Sequence, residues 1–257
     1  MLNFRTTNIV FFILLTVLIA IQYFYGFDVS WFIALGLLYT AVLFYGSFYI
    51  YSNFFIKTHC GVKTNEKIIV LSFDDGPSTE YTQKILQILQ EQQVPATFFL
   101  IGKNIQASPE LVHEIVSNGH LIGNHSYEHS NWFDLQSSKN MIAELQQTHN
   151  LVHQLTGKHL KWFRPPYGVT NPNVKKAVAA LNYQTIGWNV RSLDTMIKEP
   201  AKLLDRLKGM IKPGAIVLLH DTQEITTHIL PDFLQYIKEQ GYVIVPLDKL
   251  LHLQPYA

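Results

Sequence analysis

From residue 68 onward the sequence predicts an α/β fold, a parallel sheet with helices packed outside it. Three observations predict this. Short apolar runs alternate with segments of helical periodicity. The helical segments carry caps and stop signals at both ends. The polar residues suited to chemistry follow the apolar runs directly, at the strand ends that carry active sites in sheets of this kind. These patterns are compatible with an open sheet or with one closed into a barrel.

Residues 68–73 read as a buried first strand. It stops at Asp74-Asp75, and Gly76-Pro77 turns the chain. Helical periodicity follows through Tyr81, Ile85, Ile88 and Leu89. Residues 96–101 form a second strand, and 109–118 a helix with Ser108 as N-cap and Gly119 just past its end. A short third strand covers 120–124, and a long helix 139–155 ends at Gly157. A fourth strand over 162–164 is stopped by Pro165-Pro166. Asn171-Pro172 opens a helix to about 181, and 183–188 is a fifth strand. A helix over 200–211, a strand over 215–219, a helix over 230–239 and a strand over 242–245 complete the series.

The N-terminal part differs in composition. Up to Lys57 the only charged side chains are Arg5, Asp28 and Lys57. Residues 9–27 and 31–50 are almost wholly apolar, each long enough to cross a hydrocarbon core of ~30 Å as a helix. Tyr23, Tyr25, Trp31, Tyr49 and Tyr51 lie near the ends, where aromatic belts form. The short Asp28-Val29-Ser30 connection makes the pair a hairpin. A cleaved signal peptide would need a small-residue cleavage site, which is absent, and a second apolar run follows at once. The expected organisation is a membrane anchor over 1–57, a linker over 58–67 and an α/β domain over 68–257. Two spans place the N-terminus and that domain on the same side of the bilayer. Arg5, Lys57 and Lys63 outside the hairpin, and only Asp28 within its loop, put that side in the cytoplasm by the positive-inside rule.

Lys+Arg 20 against Asp+Glu 19 leaves no net field to attract nucleic acid. A single cysteine, Cys60, excludes an internal disulfide framework and a cysteine-rich zinc site.

Side chains alternate along a strand, so the neighbours Asp74 and Asp75 share a site only where the strand breaks, and Gly76-Pro77 supplies that break. By itself Asp-Gly is also ordinary turn chemistry. His125-Ser126-Tyr127-Glu128-His129 follows the third strand. Histidines four apart on a helical turn face the same way, as two imidazoles on one metal must. With one of the two carboxylates they make a two-histidine, one-carboxylate set with positions open for water and substrate. The set suits zinc, cobalt or iron, and not calcium. His149 and His153 share the spacing but lie inside the long helix among Gln146, Gln147, Thr148 and Gln154, as a solvated face would. Arg164, Asp194 and His220-Asp221 complete five polar sites that the strand direction places on one face.

These residues resemble the polysaccharide deacetylases, carbohydrate esterase family four, also called NodB-like. The resemblance covers 68–247 and rests on Ser72-Phe73-Asp74-Asp75-Gly76-Pro77, His125-Ser126-Tyr127-Glu128-His129, Arg164-Pro165-Pro166-Tyr167-Gly168 and Leu218-Leu219-His220-Asp221. It implies a distorted (β/α) barrel that removes acetyl groups from N-acetylated sugars of a polysaccharide or a lipid-linked saccharide. It makes Asp75, His125 and His129 the ligands of a divalent metal, usually zinc, with cobalt as the alternative. It makes Asp74 the base, paired with Arg164, and His220 the acid, oriented by Asp194. Tyr167 would offer its backbone N–H to the oxyanion, and Leu218 would line the pocket for the acetyl methyl. One stretch departs from the family pattern Asp-Ser-x-Asp-Trp. Here Arg191-Ser192-Leu193-Asp194-Thr195 loses the first Asp and carries Thr195 where the family Trp walls the acetyl pocket. This departure leaves room for an O-acetyl ester or another amide as substrate. The alternative of a different class is a catalytically inactive sugar-binding membrane protein, against which stands the presence of all the metal-ligand and acid/base residues. Family members mostly act outside the membrane, which points to an exported domain against the charge rule.

Overall fold

The computed structural model describes residues 2–257. It opens with α1 (Phe4–Tyr25) and α2 (Ser30–Phe48), both long and apolar enough to cross a membrane. α1 starts earlier than the apolar run because Asn3 and Thr6 form a reciprocal capping box, each side chain accepting the other's backbone N–H. Almost none of either helix is buried within the protein. The two touch through Phe11 stacked on Tyr39 at 4.1 Å, and the Tyr39 hydroxyl donates to Asn8 at 2.7 Å.

Both outer ends of the hairpin attach to the rest of the chain. The Phe4 N–H donates to the Phe54 carbonyl at 3.0 Å, and the Thr170 N–H to the Ser47 carbonyl at 3.0 Å. Gly46 lies flat against the Phe54 ring, where a Cβ would collide with it.

The sheet strands are β1 (Thr58–His59), β2 (Ile68–Asp74), β3 (Thr97–Leu100), β4 (Leu121–Asn124), β5 (Trp162–Phe163), β6 (Gln184–Ile186), β7 (Val190–Arg191), β8 (Ala215–His220) and β9 (Val243–Ile244). Between them run α3 (Thr82–Glu91), α4 (Gly102–Ala107), α5 (Pro109–Ser117), α6 (Ser138–Thr156), α7 (Pro172–Ala180), α8 (Pro200–Met210) and α9 (Glu224–Glu239), and α10 (Leu247–Leu251) follows β9. The order is β1-β6-β5-β4-β3-β2-β8-β7, with β9 on β2, and every pairing is parallel. The outermost strands, β1 and β7, do not pair among the described residues, so the sheet is a distorted half-barrel.

Strand alternation sorts the side chains. Ile69, Leu71 and Phe73 of β2 and Ala215, Val217 and Leu219 of β8 pack into the larger core beneath the helices. Val70 of β2 and Ile216 and Leu218 of β8 join Phe99, Trp162 and Ile186 in a second core on the concave face. Continuing that period carries Asp74 and His220 onto the concave face as register partners.

The last large helix begins at Glu224, earlier than the 230 expected, and holds Pro231 in its interior. The polar, β-branched stretch before Pro231 gives no helical signal, yet it buries Thr226, Ile229 and Leu230. The stretch 58–67, expected as a linker, contains β1, paired with β6. β7, α4 and α10 are also additions, since elements this short carry no readable period.

Candidate metal centre and active site

β2 ends at Asp74, and Asp75 leaves it in the left-handed region, φ 77. That reversal brings two adjacent carboxylates into one site. The Asp75 carbonyl accepts from Asn104 Nδ2 at 2.7 Å, which fixes the turn.

His125 and His129 do not lie on a helical turn. They lie in an irregular loop after β4, with Ser126 at φ 66 and His129 at φ 51. The Ser126 N–H donates to Asn124 Oδ1 at 2.9 Å, and the His129 N–H to Ser126 Oγ at 3.1 Å. The result still converges: the Nε2 atoms of His125 and His129 each lie 3.4 Å from Asp75 Oδ1. Tetrahedral bonds of ~2.1 Å place neighbouring ligand atoms ~3.4 Å apart, so the three donors fit one cation. His125 Nδ1 donates to the Arg164 carbonyl at 2.8 Å, which leaves the Nε2 lone pair facing Asp75. Among the described residues, only Asp75, His125 and His129 bring three such ligand atoms within 4.8 Å of one another.

Asp74 stands beside this cluster, its Oδ2 3.8 Å from His125 Nε2. Its Oδ1 accepts from Arg164 Nη1 at 2.6 Å. The wholly buried guanidinium also donates to Ser72 Oγ at 3.0 Å and to the Gly187 carbonyl at 3.0 Å, and it lies 4.0 Å above the Phe99 ring. Buried charge is tolerated here because nearly every donor has an acceptor.

His220 approaches from the other side, with Nε2 4.0 Å from Asp75 Oδ2. Its Nδ1 donates to Asp194 Oδ1 at 2.7 Å. Buried Asp194 also accepts from Ser192 Oγ, Thr226 Oγ1 and the His220 backbone N–H. Burial alone would lower the His220 pKa, but the Asp194 carboxylate, aided by Asp74 and Asp75, raises it to about 9. Burial pushes Asp75 up, but the imidazoles of His125, His220 and His129 outweigh it and hold the carboxyl well below its usual range. His129 is pulled down to about 4 by burial and by the neighbouring His125.

A cavity of about 240 Å³ collects these groups. Of the ten residues assigned from the sequence, Asp74, Asp75, His125, His129, Tyr167, Thr195, Leu218 and His220 line it, and Arg164 and Asp194 stand behind them. Tyr167 sits at φ 58, in the turn after Pro165-Pro166. Pro165, Trp188 and Arg191 also line the cavity and were not assigned. Trp188 ends the apolar run 183–188, at the same strand end as the others, and that place is the signal that marks it. Its indole packs so close to Gly168 that a Cβ there would collide. Asp221 turns away, accepting from Thr82 Oγ1 at 2.6 Å behind Gly76, and burial, with Asp75, pushes it up to about 7.

Comparison with known proteins agrees with this geometry. The polysaccharide deacetylase family pattern matches residues 61–186. Peptidoglycan-N-acetylmuramic acid deacetylase PdaA of Bacillus subtilis is 35% identical over 192 residues, covering 73% of this chain and 73% of that protein. Its solved structure, described as a family 4 carbohydrate esterase, superposes with a TM-score of 0.70 at 33% identity over 76% of this chain and 85% of its own. Peptidoglycan-N-acetylglucosamine deacetylase PgdA of Listeria monocytogenes is 34% identical over 188 residues, 73% of this chain and 39% of that protein. BA3943 of Bacillus anthracis, described as a CE4 family pseudoenzyme, superposes with a TM-score of 0.70 at 34% identity over 75% of this chain and 68% of its own. The chain belongs to the polysaccharide deacetylase family, carbohydrate esterase family 4, and is a hydrolase of carbon–nitrogen bonds other than peptide bonds.

Proposed function

We propose that the chain is a membrane-anchored peptidoglycan N-deacetylase in which Asp74 is the base and His220 the acid. One observation carries this reading. A carboxylate paired with Arg164 and an imidazole paired with Asp194 flank a three-donor cation site within one cavity. The names of the relatives PdaA and PgdA supply peptidoglycan as the substrate class.

The donor set and its tetrahedral spacing favour zinc, with cobalt as the alternative. A divalent cation held by Asp75, His125 and His129 would polarise the acetyl carbonyl and lower the pKa of a bound water to about 7. Asp74 takes the proton of the attacking water, and the Arg164 guanidinium keeps its Oδ1 occupied and its orientation set. As the C–N bond breaks, His220 Nε2 gives its proton to the sugar nitrogen, so acetate and a free amine leave. Asp194 holds the imidazolium in place. The Tyr167 backbone N–H is the oxyanion donor, and Leu218, Thr195 and Trp188 receive the methyl.

The hairpin of α1 and α2 is the anchor, with the catalytic domain on the exported side. The bond from Phe4 to Phe54 supports a hairpin whose two ends share one side of the bilayer.

Acetate release by the full-length chain, on purified peptidoglycan and on a panel of N- and O-acetylated glycans, tests the activity. Release from N-acetyl sugars that a chelator stops and added zinc restores is the expected result. Release from O-acetyl esters alone, or none, would reject it. Side is tested separately. Cys60 is a poor reporter, since burial raises its thiol to about 12. An Asn65→Cys, Cys60→Ser variant, exposed at residue 65, should react with an impermeant thiol reagent in intact cells. Labelling only after lysis would place the domain in the cytoplasm.

A further inference from the structure

Beyond the hairpin and its end at Tyr49, the large apolar side chains left exposed among the described residues are Trp132, Leu135, Tyr167, Met196 and Val243. Three of these five, Trp132, Leu135 and Tyr167, line one groove of about 280 Å³ together with Phe48, the last residue of α2. We propose that this groove and its loop, residues 131–135, sit in the interface of the bilayer, so that the catalytic cavity opens at the lipid surface. The proposal rests on the anchor reading given above.

The loop is built to present these side chains. Phe133, between them, is only 2% exposed and plugs into the core, so the 3-10 turn Phe133–Leu135 holds Trp132 and Leu135 outward, each 70% exposed. Asn171 Nδ2 grips the Asp134 carbonyl beside them. Leaving two large apolar side chains in water on a well-held loop is unfavourable, and an apolar phase beside it removes that cost.

Continuity identifies the occupant. The groove wall is the end of α2, where Phe44 stacks on Phe48 and Tyr45 on Tyr49, and Tyr51 follows. Aromatic side chains gathered at the end of an apolar span mark interface depth. Asp134, an acidic residue, also lines the groove, which places it at the boundary of headgroups and acyl chains rather than deeper. Tyr167 belongs both to this groove and to the catalytic cavity, with its hydroxyl on Asn131 Oδ1 at 2.7 Å. One side chain therefore separates the interface from the site, and the glycan reached first is the one held against the membrane.

The test uses the full-length chain in phospholipid vesicles whose acyl chains are brominated near the headgroup. Trp162 and Trp188 are buried, so Trp31 and Trp132 are the indoles open to quenching. In Trp31→Phe, tryptophan emission should fall in brominated vesicles relative to plain ones, and Trp31→Phe/Trp132→Phe should lose that fall. No fall in Trp31→Phe, with Trp132→Phe still quenched through Trp31, would overturn the proposal and leave the anchor standing. No quenching of Trp31 would overturn the anchor itself. An N-acetylglucosamine oligomer that shifts Trp132 emission in detergent, with no lipid quenching, would make the loop a sugar platform and also overturn the proposal.

Discussion

His125 and His129 are spaced as His149 and His153 are, yet their surroundings differ in every other respect. The first pair lies in a loop at a strand end, rings 4.7 Å apart, with both Nε2 atoms on Asp75. The second lies on α6, where His153 stacks on His159 at 3.9 Å and His149 Nε2 meets His159 Nδ1 at 3.3 Å. The electrostatics diverge accordingly. Burial lowers the His125 pKa, but Asp74 and Asp75 raise it above its ordinary value. Burial lowers His149 as well, and there the neighbouring His159 and His153 push the same way. Spacing is common to both; a carboxylate delivered from the end of β2, two strands away in the sheet, is what makes a cation site.

The largest effects should break the first pair. His125→Ala should lose the bound cation, read by elemental analysis, and lower kcat by more than ~10³-fold. Full turnover in a cation-free variant would reject the role given to the triad. Asp74→Asn should retain the cation and lose ~10²–10⁴ in kcat, since only the base is removed. If Asp74→Asn sheds the cation and Asp75→Asn keeps it, the two carboxylates have exchanged roles.

The next effect is a pH limb. A His220 pKa raised from 6.5 to about 9 means that its stabilising pairing with Asp194 is fully present below pH 6.5 and lost as pH rises through about 9. The acid is spent over the same upper range, so kcat should fall there. Asp194→Asn removes the main cause of the rise, and burial then pulls the limb toward 6.5 or lower. An unmoved limb would assign it to another group.

How much of this was legible follows from the same physics. Alternation along 68–73 places Asp74, the apolar run before it places His220, and the break expected at Gly76-Pro77 falls one residue earlier, at left-handed Asp75. The spacing of His125 and His129 suggests a helical turn, whereas their convergence depends on left-handed Ser126 and His129, held by bonds to Asn124 and within the loop that spacing does not reveal. Arg191 carries no readable strand signal because β7 is two residues long. Thr226, which holds Asp194, lies in the helical turns before Pro231 that carry no helical signal.

Thr195→Trp probes the cavity wall that the family pattern assigns to Trp. Apolar pockets discriminate by about 1–3 kcal/mol per added group. Trp188 already stands in this wall, so the gain in acetyl over longer acyl preference should lie at the low end, about 1 kcal/mol. It is read as the ratio of kcat/KM values, and no change would mean that residue 195 does not meet the acyl group.

The smallest effect belongs to the second pair. His149 Nδ1 contacts the Tyr183 hydroxyl at 3.2 Å, and Tyr183 accepts from Asn124 Nδ2 at 3.0 Å. Asn124 in turn bonds the Ser126 N–H inside the histidine loop. A chain of contacts thus runs from the second pair to the first. Its outer link is a half-exposed bond of ordinary length, worth about 0.5–1.5 kcal/mol. Asn124 keeps further partners at the Leu145 carbonyl and the Ser126 N–H without it. His149→Gln should therefore lower the unfolding free energy by no more than about 1.5 kcal/mol, with cation content unchanged and kcat within ~2-fold. A tenfold fall in kcat at full cation content would show that the second pair positions the first through Tyr183, and the two regions would then form one site.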